Sequence, residues 1–251
     1  MRLMTFISAA TAIVLGATPV SAETDATAMS ALEIAMACSA PPSLARPPAT
    51  VPHVIGGQEP VPRTLFGPYD LLVIDSGLGS GLQLGQQFFV RRQNQFGTAY
   101  GEHAISARTL GWIRIVAVNQ TTAVAAVEHI CDGIMAMDYL EPFVAPAAPA
   151  EAEHDISGGE PDFSALSRVL AGNEDRRAVG IGEMMMIEAA PGSTLTPGTR
   201  LAVFRDVRIA AMPLVRVGDA VVVSVGPNVA LARVTRALDA VQTGDYLAVR
   251  K

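Results

Sequence analysis

Apolar residues alternate with small or polar ones along most of this chain, in short runs set off by glycine. Ala123, Ala125 and Val127 fall on one face and Val124, Ala126 and Glu128 on the other, the period of two of a β-strand. Gly111-Trp-Ile-Arg-Ile-Val-Ala-Val118 and Ala220-Val-Val-Val-Ser-Val225 are β-branched runs, each just after a glycine. Phe88–Arg92 and Leu201–Arg205 follow Gly85 and Gly198, which read as turn or bulge glycines. Asp138 and Asp245 stand directly before Tyr-Leu, as turn acids that start a last strand. Helical patterning is confined to Ala26–Ala37, with one further turn predicted at Ala165–Leu170.

These runs repeat. Sliding Gly67–Arg92 by 113 residues onto Gly180–Arg205 gives 8 identities, Gly85, Val90 and Arg92 among them. Sliding Gly111–Leu140 by 107 onto Gly218–Leu247 gives 10 more, including Asp132, Asp138, Tyr139 and Leu140. Upstream, Val54, Gly57 and Glu59 match Val169, Gly172 and Glu174 at a shift of 115. Order and spacing are kept throughout, so the sequence reads as a duplication. The shift drops within Gln93–Ala107, which is longer in the first copy and polar, as a hairpin tip or loop is. Each copy carries about five or six short strands with turn signals between them, the pattern of a small barrel. The expected fold is therefore all-β: two tandem barrel-like modules, residues 52–144 and 165–251. A Pro/Ala/acidic linker, 145–164, reads as flexible and joins them, and a short helix and Pro-rich lead, 23–51, precede them.

The first 22 residues change the compartment. Arg2, the apolar stretch Leu3–Leu15 and the small-x-small site Val20-Ser21-Ala22 make a secretory signal peptide, with cleavage expected before Glu23. The apolar run is too short to stay as a membrane span, and no later stretch is long and apolar enough to be one. The expected mature protein is exported, and periplasmic. In that oxidising compartment an even cysteine count favours a Cys38–Cys131 disulfide, the other reading being two buried thiols. The 251 residues carry a net charge of −6 and a single lysine, Lys251, with no basic cluster, so nucleic acid is not an expected partner.

The order of motifs is Ile74-Asp-x-Gly77, then Gly81-x-x-x-Gly-x-x-Phe-x-Val-x-Arg92, then Gly-Trp-Ile-x-Ile-x-x-Val118, then Ala-x-Ala-x-Val127, and finally Asp138-Tyr-Leu. It resembles the β modules found downstream of LysM domains in bacterial secreted peptidoglycan-binding envelope proteins. More weakly, it is similar to the C-terminal barrel of flagellar outer-ring proteins. The resemblance implies a barrel architecture and a partner in peptidoglycan or an envelope assembly. It implies no catalytic residues.

Candidate chemistry is sparse. Asp75-Ser-Gly-Leu-Gly-Ser-Gly81 looks like a phosphate-cradling loop, yet a strand pattern and not a helix follows it, so it reads as a turn. His53, His103, His129 and His154 show no metal-ligand spacing, and His129 is expected as an outward strand residue. Asp132 and Asp138 recur as Asp239 and Asp245, which makes them structural turn acids. Met184-Met-Met186 replaces Leu71-Leu-Val73 of the first copy and reads as core. No catalytic, cofactor or metal site is expected. The candidate binding surface is Trp112 with Phe96 and Tyr100, the other reading for Trp112 being a plug at the end of its barrel. The expected function is a non-catalytic envelope structural or binding protein. The alternative is a small-ligand carrier or enzyme with its site between the modules.

Overall fold

The computed structural model describes residues 29–97, 103–153, 158–227 and 229–251; the stretch expected as a signal peptide, Tyr100 and His154 lie outside them. It is an all-β protein with one short helix, α1 (Ala31–Cys38). The first sheet holds β1 (Val54–Gly57), β2 (Leu71–Ile74), β3 (Gln87–Gly97), β4 (His103–Val118), β5 (Ala123–Ile130) and β6 (Tyr139–Pro142), in the order β1-β2-β5-β4-β3-β6. The second holds β7 (Pro161–Gly172), β9 (Met184–Glu188), β10 (Arg200–Arg205), β11 (Val215–Val225), β12 (Val229–Ala237) and β14 (Tyr246–Arg250), and closes into a barrel ordered β10-β11-β12-β9-β7-β14. Between its members, β8 (Ala178–Val179) and β13 (Val241–Gln242) form a separate two-stranded ribbon.

The strand orders coincide when β1 to β6 are set in turn on β7, β9, β10, β11, β12 and β14. Core positions follow the same correspondence, because inward residues alternate along each strand. Leu72, Ile74, Val90 and Ile115 line the first core, while Met185, Ile187, Val203 and Val222 line the second. Bulges recur too, at Trp112/Ile113 opposite β5 and at Asp219/Ala220 opposite β12. At the seam, Val54 N donates to Asp138 O and Val169 N to Asp245 O, both at 2.9 Å. Met137 N to Val54 O and Gly244 N to Val169 O, both at 2.8 Å, match as well, and the first seam adds a His53–Tyr139 bridge and a bond from Leu140 N to Pro52 O. Pro52 has no N–H to extend the ladder, whereas twelve-residue β7 pairs with β14 from Pro161↔Arg250 to Arg168↔Tyr246.

Two glycines hold the bulged corner. A Cβ on Gly111, whose φ is 149°, would stand 2.1 Å from the carbonyl oxygen of His129. On Gly218 it would stand 2.4 Å from that of Arg236. Both obstacles are backbone of the paired strand and cannot swing aside. Gly111→Ala and Gly218→Ala are therefore each expected to cost roughly 1–3 kcal/mol, the range of overpacking changes. Urea unfolding of each variant checks this, with Gly192→Ala as a comparison for left-handed strain alone, since nothing lies within 4 Å of a Cβ there.

Three expectations from the sequence are revised. Ala165–Leu170 forms no turn but lies within β7, where its pairing with β9 and β14 overrides its local pattern. The stretch expected as a flexible linker is seated where it is described. Ala150–Ala152 forms a 3-10 turn, Ala152 is fully buried against Met184 and Val221, and the Arg233 guanidinium donates to its carbonyl. Small alanine side chains let this segment lie flat on the barrel wall. Gln93–Ala107 is chiefly strand: β3 and β4 pair out to Gly97 and His103, making an arm longer than the neighbouring β6 covers.

Candidate functional site

The part of the molecule where unlike elements converge is the seam between the two sheets, and α1 fills it. Ser30 opens the helix with a capping box: its hydroxyl accepts from Glu33 N at 3.2 Å and its own N–H donates to the Glu33 carboxylate at 2.8 Å. Eight residues give about two turns, enough to present one side to each sheet. Met36 packs on the outer wall of the second barrel with Met184, Val223 and Leu231. Ala37 and Cys38 pack against Phe89 and Trp112 of the first sheet. Cys38 is joined to Cys131 by a disulfide, with the Cα atoms 5.5 Å apart.

Trp112 is an outward residue of β4, but it is only 6% exposed because α1 and Phe143 cover it. Its ring stacks on His129, with centroids 4.2 Å apart and planes 12° from parallel. It offers no open binding face, and it does not plug the barrel either, since Ile113 and Ile115 turn inward there. Of its two expected companions, Phe96 pairs by its backbone with Ala104, and Tyr100 lies outside the described residues.

Polar bonds continue the same clamp. The Arg91 guanidinium is buried, donates to Glu141 at 3.0 Å and to the Thr109 hydroxyl, and lies 4.3 Å over the Phe89 ring. Thr109 in turn donates to Ser39 O at 2.6 Å, just beyond the helix. Burial pushes the Arg91 guanidinium below its ordinary value, and the Glu141 carboxylate pulls the other way. Burial also raises the neighbouring Tyr139 phenol, with Glu141 adding to the effect. Ala40 N donates to the Asn173 side chain at 3.3 Å, and the lead then crosses Gly226 so closely that a Cβ there would stand 1.7 Å from Pro42 O. The β3–β4 arm adds Arg108 to Glu174 at 3.7 Å and Asn94 to Asp175.

The cavity inside this arm contact is about 20 Å³, room for one water. Open grooves flank α1 and the lead: about 310 Å³ between the lead and β6, about 260 Å³ beside Phe89 and Arg91, and about 230 Å³ where Cys38 faces Arg176 and Glu183. The first is walled mainly by Pro41, Pro47, Pro48 and Pro142, with Arg46 and Glu141 as its charged residues.

The other sequence candidates have structural partners. Leu78 N and Gly79 N donate to Asn119 O and Gln120 O, so these amides of the glycine-rich stretch hold a neighbouring turn. His53 lies 3.5 Å from Asp75. Met185 is interior, while Met184 and Met186 are buried on the outer wall under α1 and the lead. Asp132 pairs with Arg108 at 2.7 Å. Asp138 takes a two-pronged grip from Arg92, both bonds at 2.8 Å, and Asp245 takes the same grip from Arg205 at 2.9 Å. Sequence reasoning missed these arginines as partners, although Arg92 and Arg205 occupy matched places in the repeat. Set against protein-family models and curated proteins, the chain matches none.

Proposed function

We propose that this chain is a non-catalytic, exported protein of the cell envelope: two copies of one β module clamped into a single rigid body that docks on the wall. The clamp carries this reading. A helix bonded covalently to one sheet and packed on the other fixes a broad surface, which is what a docking body needs and what a hinged enzyme cleft does without. The coincident strand orders, bulges and core positions support the duplication. The charged side chains that are most buried, such as Arg91, Arg250 and Asp219, are engaged in internal bonds, which favours scaffolding over acid–base chemistry.

The groove between the Pro-rich lead and β6 is the docking surface this reading favours, since it is larger than the two other grooves beside α1 and has both an apolar wall and charged residues at hand. The test is co-sedimentation of residues 23–251 with purified peptidoglycan sacculi at low and moderate salt. Retention that survives moderate salt is the expected result. Residues 23–251, which lack Arg2, carry a net charge of −7 and gain nothing from general attraction to an anionic wall, so retention reports specific contact. No retention, together with no neighbour captured by cross-linking in the envelope, overturns the proposal.

A further inference from the structure

The disulfide has an uncommitted neighbour. The ligand atoms of Cys38, Cys131 and His129 all lie within 4.8 Å of one another, and all three residues are half-buried. His129 lies in β5 and Cys131 follows it by two residues, so the strand period sends both to one side. Cys38, the last residue of α1, meets them from across the seam. The Trp112 ring, stacked on the imidazole, fixes its plane.

We propose that these three side chains form a metal site that opens when the disulfide is reduced, and that its ligand is a thiophilic d10 ion, Zn2+. A zinc ion holds thiolate sulfur at about 2.3 Å and imidazole nitrogen at about 2.0 Å, which in a tetrahedral site separates two sulfurs by about 3.8 Å. Side chains on Cα atoms 5.5 Å apart reach that separation by rotation about their own bonds, so the strand and helix need not move. Of the three ligands, Cys38 lines a 230 Å³ groove open to solvent, and a water completes the four-coordinate shell.

The exchange balances. A dithiol reductant delivers two electrons and two protons, becomes a disulfide itself, and leaves Cys38 and Cys131 as thiols. Zn2+ then displaces both thiol protons to solvent, forming two Zn–S bonds and one bond to His129. The helix is thus tied to the first sheet in either state, covalently when oxidised and through the ion when reduced. The inference does not depend on the docking role.

The test titrates the purified protein with Co2+, after reduction and removal of the reductant under argon, and then displaces Co2+ with Zn2+. The expected result is one equivalent of Co2+ with a thiolate charge-transfer band in the near ultraviolet, which Zn2+ abolishes. The oxidised protein shows no such band. His129→Ala, which keeps both cysteines, weakens Zn2+ binding by about tenfold or more, and Cys131→Ser removes the band. Fluorescence of Trp112, the single tryptophan, reports whether the site stays packed during the titration. No band in the reduced protein overturns the proposal. So does equal affinity in His129→Ala, which would mean that the two thiols alone, folded or not, capture the ion.

Discussion

Arg205→Ala is expected to lower the unfolding free energy by about 3–5 kcal/mol, the cost of stranding a buried charge by removing its partner. Asp245 is 4% exposed, and Arg205 grips both of its oxygens through Nε and Nη2. Without the guanidinium, the carboxylate keeps the N–H of Gln242 at 2.7 Å as its remaining donor, and a dehydrated anion needs more than one. The same side chain also ties Asp239 and the carbonyl of Ala240, so the turn before β13 loosens with it. The hydrogen bond to Asp245 holds the Arg205 guanidinium above its ordinary value, so Arg205 stays charged throughout the usable pH range. Arg205→Lys is expected to recover little, because an ammonium cannot grip both oxygens in a fixed fork.

Arg92→Ala makes the matched test in the first sheet. Asp138 is as buried as Asp245, but the Arg92 side chain is 34% exposed against 19% for Arg205, so water reaches the vacated place more readily. Its cost belongs at the low end of the same range. Urea unfolding of both variants, with a double-mutant cycle on Arg205 and Asp245, measures the coupling. Losses below about 1 kcal/mol at both sites would put these pairs with ordinary surface ion pairs and refute the argument.

These arginines also show where sequence reading stops. The repeat marked Arg92 and Arg205 as matched without saying what they bond, because an Arg–Asp contact 46 residues apart leaves no local signature. Arg91 had no such mark. Its counterpart is Phe204, which packs on Ala202 and Ala248 on the outside of the barrel, and only the helix over the first sheet makes a buried guanidinium useful there. Trp112 illustrates the same limit. Alternation along β4 places it outward, and outward ordinarily means wet, but an eight-residue helix arriving from another part of the chain covers it. What was legible was whatever recurs at short range: the strands, their inward faces and the even cysteine count. What was not legible was the seam, which depends on segments far apart in the sequence, such as Cys38 and Cys131, 93 residues from each other.

Replacing both cysteines tests that seam directly. In the chain-entropy account, a disulfide closing a loop of 93 residues contributes about 4.5 kcal/mol by restricting the unfolded chain. Cys38→Ser with Cys131→Ser removes that restriction and leaves α1 held by Met36, Ala37 and the bond from Thr109 to Ser39. The predicted effect is a fall in stability of that size, read from urea unfolding, with a steeper slope because the unfolded chain without its cross-link exposes more surface. A second readout locates it. If the wedge couples the two sheets, the native protein is expected to unfold in one transition that divides in the variant, with the His53–Tyr139 seam of the first sheet giving way before the closed barrel. If instead the midpoint holds and only protease cleavage around Ser39–Pro42 accelerates, the bridge secures the helix locally and the two sheets are held together by the barrel-side contacts of Met36 and the lead across Gly226.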